Sequence, residues 1–408
     1  MESEKLDDAL DSTRASEMRV LLVSGVYPPA IGGPSAQTRA IAQELTDRGV
    51  QVRVLTQVRE AEDAAVEVAT LTLARARSAR EWIGTRATLL RSLRRHLDAF
   101  RPTIVHVQTL GPIGIAALLI AHWRGIPTLA KYPGSAAAEA TRGGSASALE
   151  GMHQSRSARG RRWVAARLAT AREQLAFRLA DRIWVTTPTV AAGLAAERSK
   201  IWVQHNFLDL TPFNDARARR RSREGPTSGA TRLLLVARLK PHKGVHIAIR
   251  ALARLPPRFT LTVVGDGDPV YERRLRDLVI QYDIADRVLF VGRVPAERVA
   301  QWYEEADLFL LPSFEEAFGI ALVEAAAAGV PSVASDVGGV PDVVADGHTG
   351  WLVSAGDAAA LARAVEALDT DPHLYQAFAE NAYARAVTYG LPAGIEALLR
   401  TYLQLCRR

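Results

Sequence analysis

The sequence has one cysteine, Cys406, in a chain of 408 residues. A single thiol can close no internal disulfide and build no cysteine zinc cluster, so a reducing compartment is expected. Long apolar runs are also missing. Ile113–Trp123 is too short to span a bilayer, and Ile320–Val333 is broken by Glu324, Gly329 and Pro331. Residues 1–17 are acidic and polar with no apolar stretch, so they do not read as a signal peptide and are expected to form a disordered tail. The chain therefore reads as soluble and cytoplasmic. No G-x-G-x-x-G follows a strand, which disfavours a nicotinamide enzyme. A net charge of +7 biases the protein towards anionic partners. No nucleic-acid-binding motif accompanies the charge, so nucleic acid is not an expected partner.

What is present is ordinary globular composition, 48% hydrophobic and 23% charged, in a length that suits two or three domains. Met18–Gly25 reads as a buried strand, followed by the loop Tyr27–Pro34 and a helix with Ser35 as its expected N-cap. Further strands are expected at Val50–Thr56, Ile104–Gln108, Pro127–Lys131 and Ile183–Thr187. Residues 211–231 carry prolines, glycines and a run of arginines, and read as a surface linker. Beyond it, strand–helix alternation restarts at Leu233–Ala237 and ends in a helix at Pro392–Leu405. The pattern predicts an α/β protein of two doubly wound Rossmann-like domains facing an interdomain cleft, with ligands at the carboxyl ends of the strands.

Candidate chemistry gathers at those strand ends. Ser313–Glu324, SFEEAFGIALVE, leaves the strand Leu308–Pro312 and opens a helix. The start of that helix, around Ala317–Ile320, offers free backbone N–H groups to an anion, with Glu316 just before them and Glu324 about two turns on. Spacing alone equally allows a capping glutamate and a solvated helical one. Arg238 and Lys243 follow the strand Leu233–Ala237. They can grip a diphosphate as fork and point charge, or stand as exposed loop cations. Gly32 and Gly33, after the first strand, allow close backbone approach to a ligand, though a plain turn explains them too. Asp266-Gly-Asp268 matches a metal-binding D-x-D but reads better as a turn.

Taken together these segments resemble retaining nucleotide-sugar glycosyltransferases of the GT-B fold, the glycosyltransferase group 1 or family 4. Glu316 to Glu324 matches the family's E-x7-E motif with its aromatic–glycine step at Phe318–Gly319. Arg238 and Lys243 match R-x4-K, and Gly32–Gly33 the N-terminal glycine loop. Gly265–Gly267, Phe290–Gly292, Asn206–Asp209 and Gly338–Pro341 are weaker matches. The resemblance implies an acceptor-binding domain over 18–210, a nucleotide-sugar-binding domain over 232–391, and a helix over 392–408 crossing back to the first. It implies that Glu324 holds ribose hydroxyls and that Glu316 contacts the donor sugar. The amides of Phe318, Gly319 and Ile320, with Arg238 and Lys243, meet the diphosphate. Arg293 and Val294 lie where the base is read, near Gly265. The implied reaction transfers a sugar with retention from a nucleoside-diphosphate-sugar to a sugar, lipid-linked or small-molecule acceptor, without metal or other cofactor. A sugar phosphorylase, an epimerase and a non-catalytic nucleotide-sugar scaffold are the alternatives.

The chain departs from the family pattern at Lys131–Gly134, KYPG, where many members carry a histidine. Lys131 is a candidate for an anionic acceptor or donor phosphate. His106 is a candidate acceptor contact, or a structural residue at a strand end. The Ala-, Ser- and Gly-rich segment 134–160 is expected to face the acceptor. Arg75–Arg101 and Arg156–Arg182 each hold eight arginines. They read as amphipathic helices, with Leu89, Leu93 and Leu97 on one apolar stripe and Val164, Leu168, Leu175 and Leu179 on the other. Their basic backs read as solvated faces of packed helices or as peripheral contacts with the anionic inner face of the cell membrane.

Overall fold

A computed structural model describes residues 17–28, 33–57, 66–71, 79–132, 134, 156–220 and 229–407, with backbone alone over 79–86, 156–166 and 195–196. Most of the tail, Gly32, Pro133, residues 135–155 of the acceptor-facing segment and Val164's side chain thus lie outside the described residues.

The first lobe holds a parallel sheet of β1 (Arg19–Ser24), β2 (Gln51–Thr56), β3 (Glu67–Thr70), β4 (Ile104–Val107), β5 (Thr128–Tyr132), β6 (Arg182–Val185) and β7 (Ile201–Val203), in the order β3-β2-β1-β4-β5-β6-β7. The second holds β8 (Thr231–Val236), β9 (Phe259–Val264), β10 (Val288–Gly292), β11 (Leu308–Leu311), β12 (Ser332–Ser335) and β13 (Gly350–Val353), in the order β10-β9-β8-β11-β12-β13. Alternate side chains of each strand enter opposite cores. Leu233 and Leu235 pack with the helices Val245–Leu252 and Ala358–Thr370, whereas Leu234 packs with Thr211–Arg220 and Ile320–Ala327. In the first lobe Leu21 and Val23 face the helices Ala79–Phe100 and Pro112–Trp123, while Val20 and Leu22 face Gly33–Asp47 and the last helix, Leu391–Cys406. Both sheets are covered on both faces, which is why their strands read as continuous apolar runs.

The chain passes between the lobes twice, and the two passages pair with each other. Leu208 N–H donates to the Tyr389 carbonyl at 2.9 Å, and Leu391 N–H donates to the Leu208 carbonyl at 2.8 Å. The last helix then lies in the first lobe's core, where Ile395, Leu398 and Tyr402 are fully buried.

Several expectations are corrected. Ser35 is not a cap: the helix begins at Gly33 and buries Ser35, because Pro34 in the first turn gives up only an N–H that no helical carbonyl would accept. Residues 211–220 are a helix, not linker. Asp209 caps it by accepting from Thr211 N–H at 3.0 Å, and Phe213 and Ala216 are buried. Its arginines bind the second lobe, Arg217 to Glu380 at 2.6 Å and Arg219 to Glu304 at 2.7 Å. In the helix Arg156–Leu179 the apolar stripe is turned from its expected position. Ala169, Ala176 and Phe177 are buried with Leu179, and Leu168 stands 66% exposed. Leu89, Leu93 and Leu97 are buried, with Arg91, Arg94 and Arg95 exposed. The sequence reading passed over β3, β7, β13 and the helix Pro372–Val387.

Where the returning helix enters the first lobe there is no spare room. A Cβ on Gly394 would stand 2.1 Å from the Phe207 ring. Gly394→Ala is expected to destabilise the fold by about 1–3 kcal/mol. A urea titration reads this as an earlier midpoint, and an unchanged midpoint would contradict the packing.

Candidate functional site

The order of the second sheet reverses between β8 and β11, and loops from both strands meet at their carboxyl ends. Such a reversal opens a crevice where open α/β sheets bind ligands. After β8 the chain exposes Arg238, makes a short helix at Pro241–Lys243 and turns at Gly244 with φ +68°. A Cβ there would lie 1.8 Å from the Pro312 carbonyl oxygen, so glycine is what lets the β8 loop press on the β11 loop. The two loops are also joined by Phe314 N–H donating to the His242 carbonyl at 2.8 Å. Lys243 is thereby brought to Glu316, Nζ to Oε2, at 2.7 Å. Both side chains are mostly buried, so this pair is less screened than a surface one.

Glu316 is fixed from its other side by the loop after β12. Gly339 N–H donates to the Glu316 carbonyl at 2.9 Å, and a Cβ on Gly338 would stand 2.0 Å from that same oxygen. Gly319, at φ +86°, then starts the helix Ile320–Ala327. Phe318, Gly319 and Ile320 have no carbonyl of a preceding helical turn to bond, so their N–H groups are available to an anion. Phe318 is itself buried edge-on to the Tyr389 ring, 5.5 Å between centroids. Further along, Glu324 accepts from Tyr303 Oη at 2.8 Å. Burial pushes its carboxyl up to about 7, against the opposing pull of that hydrogen bond.

The neighbouring strand ends complete this face. Gly265, at φ +132°, lies so close to Ala237 that a Cβ would be 2.0 Å from its carbonyl oxygen. Asp266 pairs with Arg293 at 3.0 Å. Asp268 caps the helix Pro269–Gln281, accepting from Val270 N–H at 2.8 Å. Both aspartates of the D-x-D thus have protein partners. Val294 packs against the core of the second lobe.

The first lobe reaches the same motif. Gly33 lies against Ile320, where a Cβ would come within 2.7 Å of Cδ1, and a Cβ on Gly134 would lie 3.2 Å from that of Ala317. Thr186 Oγ1 donates to the Ala317 carbonyl at 3.4 Å. These contacts bring Gly33, Lys243, Glu316, Ala317 and Ile320 together, with Arg238 exposed on the β8 loop and Glu324 on the helix that Gly319 starts.

His106 and Lys131 stand apart from it. His106 is fully buried, with Nδ1 2.5 Å from Tyr402 Oη and Nε2 3.1 Å from the Gln108 amide nitrogen. Burial, aided by the charge of Lys131, lowers its pKa to about 3. It anchors the returning helix and offers no contact to an acceptor. Lys131 is 5% exposed and bonded to Gln37 and Asn206, so it does not reach an external phosphate. Tyr303, Thr186 and Gln37 went unrecognised in the sequence, because no spacing tells which distant residue a tyrosine, threonine or glutamine will meet.

Comparison with known proteins agrees with this geometry. Residues 217–385 match the family described as Glycosyl transferases group 1, and residues 31–211 match Glycosyltransferase Family 4. D-inositol 3-phosphate glycosyltransferase of Streptomyces avermitilis is 35% identical over 239 residues, 55% of this chain and 52% of that protein. A second such enzyme, from Catenulispora acidiphila, is 36% identical over 55% of this chain and 56% of its own length. The chain thus matches about half the length of these curated relatives. Sucrose-phosphate synthase from Thermosynechococcus elongatus superposes with a TM-score of 0.76 over 95% of this chain and 99% of its own, at 22% identity. HepE of Anabaena, in complex with UDP-glucose, superposes with a TM-score of 0.73 over 95% of this chain and 99% of its own, at 21% identity. These structures establish the fold as GT-B.

The raised carboxyl of Glu324 has a consequence for stability. Between its ordinary 4.5 and about 7, the folded protein holds a proton that the unfolded chain has lost. Its contribution therefore weakens the fold as pH rises through that window, and fully so above it. Glu324→Gln is expected to unfold at higher denaturant than wild type near about pH 8 and at nearly the same denaturant near about pH 4.5. An equal gap at both pH values would contradict the assignment.

Proposed function

The chain belongs to the group 1, family 4 glycosyltransferases, and from that membership we propose that it moves a sugar from a nucleoside-diphosphate-sugar to an acceptor hydroxyl with retention at the anomeric carbon. The observation that supports this most is the Lys243–Glu316 pair, 2.7 Å apart at the point of strand reversal, with Arg238 on the same β8 loop as Lys243 and a helix start at Gly319, three residues after Glu316. UDP-glucose is the first donor to test, because HepE binds it on the same fold. Inositol phosphate belongs in the acceptor panel, beside glycans and glycolipids, because the named relatives are inositol-phosphate glycosyltransferases.

In this reading Glu324 takes the ribose hydroxyls and the β9 and β10 loops at Gly265, Arg293 and Val294 flank the base. The bond between the anomeric carbon and the diphosphate oxygen breaks, and its electron pair leaves with the diphosphate. The acceptor oxygen bonds the same face of that carbon, and its proton passes to the departing phosphate oxygen. Negative charge grows on the leaving group, where Arg238, Lys243 and the amides of Phe318 to Ile320 stabilise it. Fixed donors lower the barrier because they need no reorganisation as the charge develops. Glu316 orients Lys243 and the sugar, and no carboxylate nucleophile is required. We assign the charge to these cations and not to a metal, since Asp266 and Asp268 are engaged by Arg293 and by a helix start.

No helix among the described residues is long and apolar enough to cross a membrane. The exposed Arg91, Arg94 and Arg95 support peripheral docking on an anionic leaflet. Co-sedimentation with phosphatidylserine vesicles is expected, to fall as salt rises. Sedimentation independent of both lipid charge and salt would contradict docking.

Arg238→Ala and Lys243→Ala are each expected to lower kcat about 100-fold, or about 3 kcal/mol of transition-state stabilisation. Product NMR is expected to show the donor's own anomeric configuration, and EDTA to leave the rate unchanged. Near wild-type transfer by both variants, with a donor and acceptor that the parent uses, would refute the assignment.

A further inference from the structure

Lys131 occupies an unusual place. It stands near the end of β5, all but buried, and its charge has no carboxylate partner among the described residues. Burial lowers its pKa to about 7. An ammonium has three donor directions. One goes to Gln37 Oε1, one to Asn206 Oδ1 at 2.6 Å, and the ammonium lies 4.4 Å from the centre of the Trp184 ring. A methionine would fill the volume without the cost of desolvating a charge. It would not hold two amide oxygens.

Those two oxygens belong to the parts of the first lobe that must stay in register with the second. Gln37 is one helical turn from Gly33, which lies against Ile320. Asn206 is on the first passage between the lobes, two residues before Leu208 pairs with Tyr389. Gln37 makes a second link to that passage, Nε2 donating to the Phe207 carbonyl at 3.3 Å. Phe207 stacks on Trp184 at 5.3 Å, and Gly394 of the returning helix closes on Phe207.

We infer that Lys131 is a positioning residue that ties the start of the helix Gly33–Asp47 to the interlobe passage and so holds Gly33 against Ile320, where the helix Ile320–Ala327 begins. It acts through Gln37 and Asn206 and touches no substrate. In the transfer reading the nucleotide is held chiefly by Arg238, Lys243, Glu324 and the helix start of the second lobe, so loss of the tie is expected to leave nucleotide binding intact. What is lost is registration of the first lobe on the donor.

The kinetic part of this inference rests on the transfer reading, and the structural part does not. The test uses the full chain as Lys131→Met, Gln37→Leu and the double variant. Amide hydrogen exchange without ligand is expected to be about tenfold faster over residues 33–40 in each single variant, and no faster in the double. Thermal midpoints are expected to stay at or above wild type for Lys131→Met, which removes a buried charge. With UDP and UDP-glucose as probes, UDP affinity is expected to hold while donor KM rises about tenfold at little-changed kcat. Unchanged exchange over 33–40 in Lys131→Met, or additive effects in the double variant, would overturn the inference. A wild-type protein that binds no nucleoside diphosphate would sink the transfer reading and leave the exchange result to judge the tie.

Discussion

An ion pair between Lys243 and Glu316 spans the one place in the second sheet where the strand order turns back on itself. Its geometry depends on backbone contacts that no side chain would permit. Gly244 sits on the Pro312 carbonyl, and Gly338 and Gly339 sit on those of Glu316 and Ala317. With the β8, β11 and β12 loops pressed together, the acid, the cation and the helix start at Gly319 share one small volume. The cost is visible at Glu324, whose carboxyl is held in surroundings that favour its neutral form. Groups arranged for binding in this way commonly lower the stability of the fold that carries them.

The first lobe supplies shape more than charge. Its two histidine and lysine candidates both serve the interior, His106 through Tyr402 and Lys131 through Gln37 and Asn206. Trp184 touches both of them and Phe207, so one aromatic cluster receives both passages of the chain between lobes. A displacement of either passage would be felt at the helix beginning with Gly33, and through it at Ile320.

Much of this was legible in the sequence, for identifiable reasons. Strands buried on both faces give unbroken apolar runs, so most of both sheets stood out, and cations or acids directly after such runs fall at the carboxyl ends of strands. Arg238, Lys243 and Glu316 were singled out in that way, and Glu324 by its spacing from Glu316. The edge strands β3, β7 and β13 are only three or four residues long, so their runs are too short to stand out, and the arginine-rich helix at Thr211–Arg220 resembles a linker in composition. The stripe through Leu168 was misplaced because Ala169, Ala176 and Phe177 are buried with Leu179 there, while Leu168 and Leu175 stand exposed. The fates of Lys131 and His106 depend on residues 94 and 296 positions away in the chain, which local pattern does not reveal.

The most direct test of the central claim is an experimental structure of the full chain with a bound nucleoside diphosphate. The diphosphate is expected between Arg238, Lys243 and the amides of Phe318 to Ile320, with the ribose on Glu324. A diphosphate bound elsewhere, with the Lys243–Glu316 pair untouched by it, would contradict the account.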